Sequence, residues 1–173
     1  MHSSVSVATV FPKRPGLLHR CGAWLCFAAC LINTYNELHS DDAPRLFRAG
    51  AFAIDITPET FPVSSAGSMS ARIATQAHDP LQARCLVLDD GETKLAFAIC
   101  DSCMIPREIF DRAKERVTKE IGIPSDHILS SATHTHTAVT VAPVFQSEVE
   151  TEYCEFLAER IAEDIRGSTD AST

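Results

Sequence analysis

The run Thr133-His134-Thr135-His136-Thr137 sets two imidazoles two residues apart, between three hydroxyls. In an extended segment, side chains at that spacing point the same way, so His134 and His136 can face one ion or one substrate. Imidazole nitrogen is a favoured zinc ligand at about 2.0–2.1 Å. The hydroxyls of Thr133, Thr135 and Thr137 could orient the rings or polarise a substrate carbonyl. A His-x-His pair also occurs as two solvated surface histidines, and spacing alone does not choose between the readings. His78-Asp79-Pro80 reads as a turn or as a ligand, and Asp101 as a site carboxylate or as a cap for the helix that follows it. His127 opens a strand alone and reads as structural. Cys100 and Cys103 have C-x-x-C spacing with no second pair to make a zinc ribbon, so they read as core cysteines at a strand end in preference to a redox or metal pair.

The elements that must position these residues follow from periodicity. Phe47 to Ile56 is apolar and stops at Thr57-Pro58, as a strand ending in a turn does. Residues 59–80 are polar and serine-rich without clear periodicity, the pattern of a functional or mobile loop. Leu81 to Leu88 and Lys94 to Cys100 are short apolar runs joined through Asp90-Gly91, a hairpin signal. Pro106 then suits the first position of a helix with Ile109, Ala113, Val117 and Ile121 on one face and Gly122 at its end. A strand runs from His127 to about Thr133. A last helix, from about Glu148 to Ile165, turns Val149, Tyr153, Phe156, Leu157 and Ile161 inward.

The fold class is therefore α/β: a mixed β-sheet with a β-hairpin and a β-α-β unit, helices packed on the sheet. The β-α-β strands should be parallel with a right-handed crossover. Ligands bind beyond the carboxyl ends of such strands, which is where Asp101 and the pair His134 and His136 lie. The start of the antiparallel hairpin strand, near His78 and Asp79, returns to the same edge. Five ionisable side chains are thus expected on one rim.

Apolar residues are 45% and charged residues 22% of the chain, an ordinary globular balance. A formal charge of −8 leaves no basic stripe, so nucleic acid is excluded as a partner. Residues 1–45 read apart from the fold, as a signal or targeting segment and linker. Lys13, Arg14 and Arg20 precede the apolar run from Cys21 to Ile32, which is too short to span a bilayer but suits a signal-peptide core. The expectation is an exported protein, periplasmic or extracellular. Residues 46–166 form the folded domain, and 167–173 are expected to be a frayed, disordered tail.

The residues Ala49-Gly50-Ala51, Asp55-Ile56-Thr57-Pro58, His78-Asp79-Pro80 leading into Cys85 and the Asp89-Asp90-Gly91 turn, and then Ser131-Ala132-Thr133-His134-Thr135-His136, come in a recognisable order. The stretch 46–166 resembles the start of the neutral/alkaline non-lysosomal ceramidases. That resemblance implies zinc-dependent hydrolysis of an N-acyl amide, ceramide to sphingosine and fatty acid. It implies His134 as a zinc ligand and His136 as a catalytic side chain near the substrate, with His78, Asp101 and Thr135 near the site. The chain departs from the family motif after the second histidine, with Thr137-Ala138-Val139 in place of Ser-Gly-Pro. The family's other ligands, a further His, a Glu and a Tyr, lie well downstream of what Thr173 would allow.

Three expectations follow. The leading one is the amino-terminal portion of a zinc amidase, holding a single zinc ion weakly and inactive alone, with a lipid-like N-acyl amide as the substrate of the whole enzyme. The second is an exported module that binds metal or ligand without catalysis. The third, a metal-dependent amidohydrolase barrel, fails because 37 residues after His136 cannot complete about 250. A partial domain would also leave a sheet edge and an apolar face uncovered, which predicts self-association.

Overall fold

Alternating small buried residues and larger outward ones build the central strands. The computed structural model describes residues 5–10 and 46–173. Its strands are β1 (Val5–Val10), β2 (Leu46–Asp55), β3 (Val63–Ser64), β4 (Ile73–Ala74), β5 (Gln82–Asp89), β6 (Lys94–Cys100) and β7 (Ile128–Ala132). Two helices, α1 (Arg107–Ile121) and α2 (Thr151–Ala171), complete it with a 3-10 turn at Ser125–His127. The main sheet has the order β1-β2-β5-β6-β7, antiparallel throughout except for the parallel pair β6 and β7. The mixed sheet, the hairpin and the β-α-β unit are as the sequence predicts.

The hairpin turn is set by its aspartates. Asp89 accepts the Gly91 amide at 2.8 Å, and Asp90 accepts those of Glu92 and Thr93 at 3.0 and 2.7 Å. Gly91 takes φ +89°, a value its lack of Cβ permits. Helix α1 starts after Pro106 with no side-chain cap, so Asp101 does not serve as one. It ends at Gly122, whose amide donates to the Thr118 carbonyl from a left-handed conformation.

Both helices lie over one face of the sheet. Ala83, Cys85 and Val87 of β5 pair with Cys100, Ala98 and Ala96 of β6, and all six are buried. Leu157, Ile161 and Ile165 of α2 pack there without measurable exposure, each contributing about 1.5–3 kcal/mol. The Tyr153 hydroxyl donates to the Ile56 carbonyl at 2.6 Å and ties the first turn of α2 to the end of β2. The opposite sheet face carries Leu86 beside Phe97 and Leu88 beside Leu95, with Leu129 next to Phe97. Leu86 and Leu95 are 40% exposed and Leu129 58%, so this face is apolar and open among the described residues.

Two segments differ from expectation. Helix α2 begins at Thr151 and runs through the residues expected as a frayed tail, with Ser168, Thr169 and Ser172 buried. Small side chains and Gly50 of β2 let the last turns sit directly on the sheet, where the Ser168 hydroxyl donates to the Cys85 carbonyl at 3.2 Å. Residues 5–10, inside the segment set apart as a leader and linker, pair with β2 from Val5↔Ala51 to Val10↔Leu46. The apolar run from Cys21 to Ile32 lies outside the described residues. No described helix is long and apolar enough to cross a membrane.

Candidate metal centre

The parallel strands β6 and β7 end side by side, and the chain leaving each is pinned to its neighbour. The Asp101 amide donates to the Gln82 carbonyl and the Thr133 amide to the Cys100 carbonyl, both at 2.9 Å. Beyond Thr133 the ladder stops and His134 turns to φ +63°, in the left-handed region. The pair is therefore not presented by extended backbone, as the spacing suggests. The His134 and His136 rings still meet, edge to face, with centroids 5.0 Å apart.

The serine-rich stretch fixes His136 from the other side. Ser65 bridges Val139, and the amides of Ala66 and Thr140 donate to Ala138 and Ser64 carbonyls at 2.9 Å. The Arg72 guanidinium donates to the carbonyls of Ala66 and His136, clamping the two segments together. Gly67 faces His136 so closely that a Cβ there would lie 2.4 Å from the histidine Cα. The loop expected over 59–80 is thus largely a strap over the histidine turn, with β3 and β4 as its stem.

Cys103 completes the cluster. Its sulfur and one ring nitrogen from each of His134 and His136 all lie within 4.8 Å of one another; the thiol is buried and the rings are exposed. The C-x-x-C pair therefore splits. Cys100 points into the helix-covered core, where burial pushes its thiol up to about 12. The described cysteines Cys85, Cys100, Cys103 and Cys154 are all free. Spacing suggested two core cysteines; the signal that could have separated them is the strand end, since Cys103 lies three residues past β6.

The five groups expected on one rim fall into two sets. His78, Asp79, Asp101, Thr135 and Thr137 line a cleft of about 580 Å³ with Phe61, Val63, Leu81 and Val139, and neither His134 nor His136 is among its lining residues. His78 is 95% exposed and bonds Asp79 at 3.0 Å, which is the turn reading. Asp101 is an anchor: it accepts the Gln82 amide at 3.1 Å and Arg84 through both oxygens at 3.0–3.1 Å. Thr135 and Thr137 bond each other at 3.2 Å. The period of two that joins the histidines also puts the threonines together, on the cleft.

Two imidazole nitrogens and a sulfur form a donor set that suits zinc, and it contains no carboxylate or carbonyl oxygen of the kind calcium and magnesium require. The residues present therefore fit the ion that the family resemblance implies.

Among solved structures, the chain is similar to the neutral ceramidase from Pseudomonas aeruginosa, with a TM-score of 0.64 at 20% identity over 72% of this chain. The fold is ceramidase-like. A second similar structure is a ceramidase complexed with C2, with the same TM-score at 21% identity. The chain spans 21% of the length of each ceramidase that it matches. No protein-family model matches it, and no curated protein does. In this ceramidase-like fold the histidine cluster stands at the carboxyl ends of the parallel strands, the edge where α/β sheets bind ligands.

Proposed function

We propose that these residues form the histidine-bearing part of a zinc-dependent N-acyl amide hydrolase of the ceramidase type. The observation that carries the reading is the cluster of His134, His136 and Cys103 at the end of a ceramidase-like sheet. Bound zinc supplies Lewis acidity, polarising an amide carbonyl and making water nucleophilic near neutral pH. His134 is the ligand, fixed by its backbone turn. His136 is held by Arg72 and the Gly67 contact where it can stabilise developing negative charge or move a proton. The cleft beside them, with Phe61, Val63, Leu81 and Val139, offers apolar contact to an acyl chain, and the Thr135 hydroxyl offers a hydrogen bond at its wall.

In this reading the 173 residues are one portion of the working enzyme, and export remains part of the proposal. Calorimetric titration of the full chain with zinc should show binding that His134→Ala abolishes, without hydrolysis of a short-chain N-acyl sphingosine. Zinc uptake that is insensitive to His134→Ala would overturn the ligand assignment, and robust turnover by the chain alone would overturn the incomplete-site reading. A non-catalytic metal-binding module is the second reading; it is favoured by the same cluster if binding is tight and stoichiometric.

Self-association belongs to the proposal as well, carried by the open face of Leu86, Leu95, Phe97 and Leu129. A contiguous apolar face of this kind seeks a cover. Light scattering should report a mass that rises with concentration; a clean monomer throughout would count against it.

A further inference from the structure

Zinc centres generally hold at least three protein ligands, and two histidines fall short of that number. The third donor is already in place. The Cys103 thiol lies at the buried end of the cluster, 4% exposed, while both imidazoles reach it from the solvent side. Cys103 leaves the end of β6 and the histidines leave the end of β7, parallel neighbours whose exits lie on the same edge. Bonds of about 2.0–2.3 Å place the ligand atoms of a tetrahedral ion roughly 3.3–3.7 Å apart. The cluster, with all its donor atoms inside 4.8 Å, needs a contraction that rotation of two exposed rings can supply. Neighbouring side chains do not compete for the role. Asp101 is held by Arg84 and the Gln82 amide, and His78 is bonded to Asp79 away from the cluster.

We propose that Cys103 is a metal ligand, so that this chain carries a two-histidine, one-thiolate site within its own residues. The inference rests on the zinc reading above and deepens it. On binding, the thiol gives its proton to solvent and a sulfur lone pair forms the bond to the ion. A thiolate in the set favours zinc and other borderline or soft ions over magnesium and calcium. It also raises the chain's own affinity above what His134 and His136 could supply together.

The test is cobalt(II) titration of the reduced 173-residue chain, followed by absorption. The expected result is a thiolate-to-cobalt charge-transfer band in the near ultraviolet that saturates at a single equivalent and is displaced by zinc. Cys103→Ser should lose the band and weaken zinc binding on the order of 100-fold or more, while Cys100→Ala keeps the band. Cobalt binding that His134→Ala removes, but with no charge-transfer band in the unmodified chain, would overturn the role of Cys103 and leave the histidine site standing. Absence of any cobalt or zinc binding would overturn both. The deciding spectrum is that of the unmodified chain, so it does not depend on how well a variant folds.

Discussion

Replacing Asp164 with asparagine is expected to stabilise the protein at pH 8 by up to about 4 kcal/mol and to leave it nearly unchanged near pH 4. Asp164 lies on the inward face of α2, fully buried, and among the described residues neither of its carboxylate oxygens has a hydrogen-bond partner. Burial pushes its carboxyl from 3.8 up to about 7, only partly offset by the positive charge of Arg84. The folded-state value is above the unfolded one, so folding favours the protonated acid. The stability tied to this group is complete below pH 3.8 and is lost as pH rises through about 7. Asparagine keeps the shape and carries no charge, so its denaturation midpoint should escape that decline. Midpoints measured at several pH values between 4 and 8 decide the matter. Parallel curves for the two proteins would mean that Asp164 is not the titrating group.

Gly50→Ala is expected to cost about 3 kcal/mol or more, a large loss for one methyl group. A Cβ at this position would lie 2.1 Å from the Ser168 carbonyl oxygen, 2.4 Å from the Ser172 nitrogen and 2.8 Å from the Ala171 carbonyl carbon. All three are backbone atoms, so no rotamer change relieves the clash. The last turns of α2 would have to lift, unseating Ser168 from the Cys85 carbonyl and loosening the contact of Ile165 with the sheet. Denaturant unfolding of the variant measures the loss. Equal stability would show that the end of α2 does not press on β2.

These two residues also mark where sequence reading stops. Periodicity and turn chemistry were enough for the hairpin at Asp89 and Asp90, for α1 between Pro106 and Gly122, and for the parallel pair that follows, because local rules decide each of them. The tail of α2 was not legible. Serine, threonine and alanine suit solvent as well as close packing, and only the glycine on a distant strand decides between them. Asp164 reads as surface for the same reason, since its neighbours in space are set by tertiary packing. At the site, His134 and His136 were found from spacing, but the left-handed turn that presents them was not. Cys103 was passed over because C-x-x-C was read as one unit, although a strand end separates its halves. His78 and Asp101 were correctly placed near the rim, yet each is engaged by a neighbour that the sequence does not bring into view.

The left-handed backbone at His134 puts folding and chemistry in opposition. A non-glycine residue at φ +63° costs about 1–3 kcal/mol that glycine would largely recover and asparagine would reduce. Selection for thermal stability alone, in metal-free buffer, would therefore drift toward glycine or asparagine at position 134. Such an experiment would return a sturdier protein whose metal centre had been removed by the improvement.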